Sequence, residues 1–466
     1  MSASSFLSLF SSLFFLFSLS SANSTVTLSI SPSASAPPLS NPWQRLNHLA
    51  TASATRAHHL KHPQASTSAV KAPIFPHGYG GYSISLSFGT PPQTLSFLMD
   101  TGSSLVWFPC TQSFSCSSCN FIGVDPENIT TFLPRLSSST KTVGCKDPKC
   151  RWISANVQCD GCRKNSTGCD ESCPPFRVKY GSGSTSGLLI SETLIFPEKS
   201  VENFIVGCSI FASTEPSGIA GFGRGPDSLP AQMGLKRFSY CLVSHEFDDQ
   251  PVHSNLVLET AIRGGAGTGT AGGRINYIPF SKNPTTPKHP AYKEYYYVTL
   301  QKITVGGVDV RVPYKFLVAD AEGRGGTMVD SGTTFTFMEN QVYKLVAGEL
   351  AKQVGKNYSR AAEVENLSGL GPCFRVSDEN SFTVPELAFH FKGGAKMALP
   401  VENYFSPLVD SAVCMTITTD SGGGGGGGVR AGPAIIFGNY QQQNIYMEYD
   451  LENERLGFRK QVCNNK

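Results

Sequence analysis

The chain has 466 residues, of which 40% are hydrophobic, and a formal charge of +3. That length accommodates two large lobes or three ordinary domains, and nothing in the near-neutral balance suggests a nucleic-acid-binding surface. Short apolar runs punctuated by 46 Gly and 30 Pro, with few long helical periods, predict a mainly β protein.

The first apolar stretch, Phe6 to Leu19, ends in Ser20-Ser21-Ala22. A small-x-small site after a core of this length predicts a cleaved secretory signal over residues 1–22, although the n-region lacks Lys and Arg. The run is too short and too Ser-rich to span a membrane. Residues 23–75 are rich in Ser, Ala, Pro and His, with a helix expected from Trp43 to His59. No Asp or Glu precedes Asp100, whereas Arg45, Arg56, Lys61, Lys71 and five His do. Such a basic pro-segment could lie over an acidic cleft at neutral pH and leave when its carboxylates protonate. A plain disordered linker is the other reading.

Order is expected from near Gly81. Tyr82 to Phe88 alternates with period two and reads as a half-buried strand, followed by a turn at Gly89–Gln93 and a return strand to Met99. That strand runs into Asp100-Thr101-Gly102-Ser103-Ser104. Downstream the plan repeats, with a strand from Tyr297 to Val305, a hairpin turn at Gly306-Gly307 and a partner strand from Val308 to Val312. Gly325 to Val329 then leads into Asp330-Ser331-Gly332-Thr333-Thr334. One such string is common by chance; two in equivalent contexts imply a duplicated lobe with one carboxylate from each copy. Carboxylates facing each other cannot both ionise cheaply, so one keeps its proton at acid pH. The pair is then an acid and a base made from one residue type, suited to activating water against a peptide carbonyl.

Each copy closes on two apolar residues followed by Gly: Ile219-Ala-Gly-Phe-Gly223 and Ile435-Ile-Phe-Gly438. A residue without Cβ lets a second segment pack against the loop that bears the Asp. The lobes are expected at 76–260 and 291–466, joined by a Gly-rich connector over 261–290. Gly267 to Gly272 is formally GxGxxG but has no βαβ context. The run Gly422–Gly428 reads as a mobile loop.

Fourteen Cys in an exported chain predict disulfides: Cys110, Cys116, Cys119, Cys145, Cys150, Cys159, Cys162, Cys169, Cys173, Cys208, Cys241, Cys373, Cys414 and Cys463. The CxxC pairs at 116/119 and 159/162 leave zinc open as an alternative, but no metal site is expected. Asn128, Asn165, Asn357 and Asn366 begin glycosylation sequons. His245-Glu-Phe-Asp-Asp249 is not the HExxH metal motif.

Together with Gly221-Phe-Gly-Arg-Gly-Pro-Asp-Ser-Leu229, Phe238-Ser-Tyr-Cys-Leu242 and Phe437-Gly-Asn-Tyr-Gln-Gln-Gln443, the two Asp strings make residues 80–463 resemble a pepsin-type aspartic endopeptidase of the nepenthesin-like plant branch. The resemblance implies a mainly β, bilobal pepsin-like acid protease fold with a central cleft. Asp100 and Asp330 would hold a water and share a proton, without a cofactor. It further implies that Thr101 and Ser331 brace the two loops, that Ser103 and Thr333 orient the carboxylates, and that Gly102 and Gly332 admit backbone N–H groups. Tyr180-Gly181-Ser182-Gly183 resembles the flap that closes over substrate, with Trp107 as the partner of Tyr180. Read alone, Tyr180 would be an ordinary strand aromatic. The family pattern pairs Cys373 with Cys414 and makes Cys241–Cys463 plausible; the insertion 110–173 would be a disulfide-stapled surface subdomain. Expected partners are polypeptide substrates and pepstatin-type inhibitors, with no membrane anchor and a monomeric chain in the secretory pathway, the apoplast or a vacuole. The rival reading is a catalytically silent member of the same fold that inhibits microbial cell-wall hydrolases. Both Asp, both Gly and the flap Tyr favour catalysis.

Overall fold

A computed structural model of the chain describes residues 25–34, 42–61, 79–119, 129–153, 157–159, 171–180, 183–197, 199–244, 253–260, 273–378, 382–407, 409–420 and 431–463. The expected signal, the GxGxxG run, the seven-Gly run and His245–Asp249 lie outside these residues.

The duplication anticipated from the two Asp strings is built into the strand pairing. In the first lobe, Gln93–Asp100 runs parallel to Gly218–Gly221, which pairs antiparallel with Trp107–Pro109 at Ile219–Trp107; Trp107–Pro109 in turn runs parallel to Lys199–Ser213. In the second lobe, Thr327–Val329 runs parallel to Ile435–Phe437, which pairs antiparallel with Thr336–Met338, itself parallel to Ile417–Thr418. The Asp of each string thus sits at the end of a strand held from both sides, since Gln93–Asp100 also pairs with Tyr79–Phe88 and Thr327–Val329 with Tyr296–Val298. The turn at Gly306-Gly307 takes φ of 56° and 78°, a left-handed geometry that Gly adopts without strain.

The core follows from the alternation of apolar residues. Phe88 meets Phe108 and Phe204 edge-on, with centroids 5.3 and 5.7 Å apart, and all three rings are buried. Each such side chain contributes about 1.5–3 kcal/mol on burial. At the lobe boundary Phe238 stacks on Tyr449 at 4.4 Å, within a sheet that runs from Asn276–Pro279 through Arg455–Lys460, Ile445–Asp450, Arg237–Cys241 and Ser254–Glu259. Residues 276–279, inside the expected connector, are therefore an edge strand of this sheet.

Two elements precede the expected onset of order. Thr25–Ala34 is a strand inserted between Ser254–Glu259 and Tyr79–Phe88, with six register pairs to the former. Its alternation of Val26, Leu28 and Ile30 with Thr27 and Ser29 is a period-two signal that composition masked. Pro42–Lys61 is a helix, close to the expected span. Trp43, Leu46, Ala50, Ser53, Ala57 and Leu60 recur three or four residues apart and are all buried. Trp43, Leu46, Leu49 and Ala50 pack with Cys119 of the first lobe and with Phe335, Val364, Leu370 and Tyr440 of the second.

Six disulfides join the described cysteines: Cys110–Cys208, Cys116–Cys119, Cys145–Cys159, Cys150–Cys173, Cys241–Cys463 and Cys373–Cys414. The two pairings implied by the family pattern are among them, and Cys162 and Cys169 lie outside the described residues. Cys116 is bonded to Cys119, and Cys159 to Cys145, so these four thiols are not zinc ligands. Among the described residues no His, Cys, Asp and Glu cluster could hold a metal ion.

Candidate active site

Asp100 and Asp330 are fully buried, and the two loops carrying them interlock. The Thr101 amide donates to the Ser331 hydroxyl (3.1 Å) and the Ser331 amide donates to the Thr101 hydroxyl (2.9 Å). Each hydroxyl then donates across the boundary, Thr101 to the Val329 carbonyl and Ser331 to the Met99 carbonyl. Within each loop the plan is the same. Gly102 N–H donates to Asp100 Oδ1 at 2.8 Å, and Gly332 N–H to Asp330 Oδ1 at 2.9 Å. The Ser103 and Thr333 hydroxyls donate to the outer Oδ2 atoms. A Cβ on Gly102 would lie 2.6 Å from Asp330 Oδ1, and one on Gly332 would lie 2.4 Å from Asp100 Oδ1. Each glycine is therefore the floor against which the opposite carboxylate rests.

The paired Gly segments do what their spacing suggested. A Cβ on Gly221 would meet the Ser104 carbonyl at 2.2 Å, and one on Gly438 the Thr334 carbonyl at 2.4 Å. The close approach lets Phe222 N–H reach the Asp100 carbonyl (2.7 Å) and Asn439 N–H reach the Thr333 carbonyl (2.7 Å). Asn439 also donates its side-chain amide to the Ser331 carbonyl at 2.9 Å.

Tyr180 stands over this floor. Its hydroxyl accepts a 2.8 Å bond from Trp107 Nε1, and its amide donates to the Gly183 carbonyl at 2.7 Å. Gly181 and Ser182, expected at the flap tip, lie outside the described residues. Of the sequon residues, Asn357 and Asn366 are exposed, and Asn128 and Asn165 fall outside the described residues.

Arg56 was not anticipated among the site residues. The guanidinium, on the buried face of the helix, reaches both carboxylates: Nη2 to Asp100 Oδ1 at 2.5 Å and Nε to Asp330 Oδ2 at 2.8 Å. Nε also lies 3.1 Å from the Thr333 hydroxyl. The helix is tied down on either side of it. Ser53 accepts from Phe335 N–H at 2.8 Å, Trp43 donates to Asp410 at 2.9 Å, and Tyr292 and Tyr295 donate to the carbonyls of Lys61 and Leu60. Lys61 faces Glu339 at 3.6 Å and lies over the Phe337 ring. A sequence clue existed. Position 56 lies three residues after Ser53 and four before Leu60, on the stripe 43, 46, 49, 53, 56, 60, so a helix would bury its charge, and a buried Arg demands carboxylates.

Burial pushes the Asp100 carboxyl up to about 6, with Arg56 pulling down and Asp330 pushing up. For Asp330 burial is outweighed by Arg56, whose charge and hydrogen bond hold the carboxyl below the usual range. The pair is therefore asymmetric, one member inclined to keep a proton and the other to lose it.

A buried carboxylate from each of two duplicated lobes, braced hydroxyl to amide and roofed by an aromatic hairpin, defines an aspartic proteinase of the pepsin type. Family models described as xylanase inhibitor N-terminal and C-terminal match residues 82–257 and 295–460. A probable aspartyl protease of Arabidopsis thaliana is 36% identical, over 82% of this chain and 82% of its own. Nepenthesin-2 of Nepenthes gracilis is 33% identical over 85% and 81%, and nepenthesin-1 of the same plant 32% over 83% and 79%. Among solved structures, edgp (TM-score 0.59, 19% identity, 84% of this chain and 93% of that one) and soybean basic 7S globulin (0.59, 18%, 82% and 94%) share the fold. The chain belongs to the nepenthesin-like branch of plant pepsin-type aspartic proteinases. It is an aspartic endopeptidase that acts on polypeptides.

Proposed function

We propose that this endopeptidase is exported as a latent precursor and works at acid pH once its N-terminal segment has left the cleft. The observation that carries this reading is Arg56, which bridges Asp100 and Asp330 from a helix outside either duplicated lobe. A guanidinium between the carboxylates fills the place where a water and a scissile carbonyl must meet. With the helix withdrawn, one carboxylate takes a proton from the attacking water and the other gives its proton to the carbonyl oxygen. No covalent acyl-enzyme forms. The twelve described disulfide-bonded cysteines support an oxidising export route. Among the described residues no helix is long and apolar enough to cross a membrane. Pepstatin-type inhibitors would compete for the same floor, and the chain would act as a monomer.

The test is to hold the full chain at about pH 3, below the ordinary carboxylate pKa, and at about pH 7, and to sequence the N-terminus of the product. Loss of the segment through Lys61 together with the appearance of pepstatin-sensitive cleavage at acid pH supports the proposal. Equal activity at both pH values with the segment retained overturns it.

A further inference from the structure

Next to the dyad the cleft wall holds a cavity of about 270 Å³, lined among others by Ser104, Tyr180, Asp227 and Glu294. Arg56 and Leu60 of the N-terminal helix form part of its lining, so withdrawal of the helix would open it to the substrate cleft. Asp227 is 6% exposed, and apart from its own backbone N–H its carboxyl oxygens have no hydrogen-bond partner among the described residues. The first forces on that carboxyl are burial and the neighbouring Glu294 carboxylate, which push it up to about 7. Glu294 is itself raised by burial, against a hydrogen bond from the Ser104 hydroxyl. That hydroxyl also accepts from Gly225 N–H at 3.0 Å, and Arg224 N–H donates to the Glu294 carbonyl at 2.8 Å. The two acid-bearing segments are thus fastened to each other and to the loop of Asp100.

We infer that Asp227 and Glu294 form a subsite that selects a cationic side chain, lysine or arginine, in the polypeptide substrate. With no external partner, the Asp227 carboxyl and its neighbour are held toward their protonated forms, and a donor-rich cation seated beside them would displace a proton and supply the missing partner. An apolar side chain in the same place leaves them unpaired, which is the condition under which a polar pocket discriminates strongly. Lys293 pulls the Asp227 carboxyl down from the same segment as Glu294. Arg177 and Lys179 also line the cavity, but Arg177 is exposed and Lys179 half-exposed, so water screens their charge. Asp227, the buried member of the acid pair, therefore sets the preference, with the half-buried Glu294 beside it. This assignment rests on the endopeptidase reading and names the substrate feature read at that same site.

The test uses the acid-activated full chain and peptides of one sequence that carry lysine, norleucine or glutamate at successive positions around the scissile bond. At one position lysine is expected to exceed norleucine in kcat/KM by about tenfold or more. In Asp227→Asn and Glu294→Gln that ratio should fall toward one, chiefly through KM, and Asp227→Glu should restore part of it. A ratio of two substrates on one enzyme is insensitive to a general loss of folded protein. No lysine preference at any position, an unchanged ratio in both amide variants, or a preference for glutamate would overturn the assignment while leaving the endopeptidase intact. A chain that cleaves none of the peptides after activation would overturn the endopeptidase reading, and this assignment with it.

Discussion

Arg56 Nε donates to Asp330 Oδ2 at 2.8 Å, while its Nη2 lies 2.5 Å from Asp100, so a single side chain closes the pair of carboxylates contributed jointly by the two lobe loops. Both partners are buried, and that burial makes the contact consequential. Replacing a buried ion-pair member strands the other charge at a cost of about 3–5 kcal/mol, whereas an exposed pair contributes little. Arg56→Gln should therefore loosen the helix. The expected outcome is binding of labelled pepstatin by the unprocessed variant near neutral pH, where the unprocessed wild type binds none.

Release of the helix should also follow pH with a defined sign. Asp330 has a depressed pKa when the helix is docked, so its contribution is fully present above the ordinary carboxylate value of about 4 and is lost as pH falls through the depressed value. Arg56 acts downward on Asp100 as well, although burial leaves that carboxyl at about 6. Undocking therefore takes up protons, and acid favours it. Hydrogen exchange of residues 42–61 in the catalytically dead Asp100→Asn chain, followed from neutral to acid pH, should show protection disappearing at low pH only.

Gly221 offers a test of the lobe architecture that is separate from charge. In Gly221→Ala the new methyl falls 2.2 Å from the Ser104 carbonyl, which is backbone and cannot rotate away. Thermal unfolding at neutral pH should show a loss of about 1–3 kcal/mol, the range for overpacking a tight contact. Because Ser104 follows the Asp100 loop directly, activity should fall by more than the folded fraction does.

Tyr180 and Trp107 are tied by one hydrogen bond of 2.8 Å in a buried setting. In Tyr180→Phe the ring stays and the bond goes, at a cost of about 0.5–1.5 kcal/mol, which corresponds to a drop of about 2–10-fold in kcat/KM. Tyr180→Ala, which removes the aromatic cover itself, should cost substantially more. Steady-state kinetics on one peptide would separate the two.

Much of this site was legible because it is written twice. Asp100 and Asp330, their Gly and hydroxyl neighbours, and the Gly221 and Gly438 contacts all sit at matching offsets, so each copy vouches for the other. Tyr180 and the bonds of Cys373 and Cys241 came through family pattern, since loop closure and cysteine connectivity cannot be read from spacing. The strand Thr25–Ala34 went unread because Ser and Pro dominate its neighbourhood, although Val26, Leu28 and Ile30 alternate correctly. In the sequence Arg56 reads as part of a basic segment and not as a site residue. Its partners lie 44 and 274 residues away, and only the fold brings them to it. Asp227 stood only as one residue of the string Gly221–Leu229: its proposed role depends on burial beside Glu294, which no local pattern encodes.

The most direct test of the dyad is cleavage of a denatured protein by the acid-treated full chain beside Asp100→Asn, each with and without pepstatin. One missing carboxyl removes the acid–base partner, so the variant should lose at least about 10²–10⁴ in rate, and pepstatin should abolish what the wild type does. Robust pepstatin-insensitive cleavage by Asp100→Asn, or wild-type chain as inert as the variant after its N-terminal segment has gone, would contradict the account.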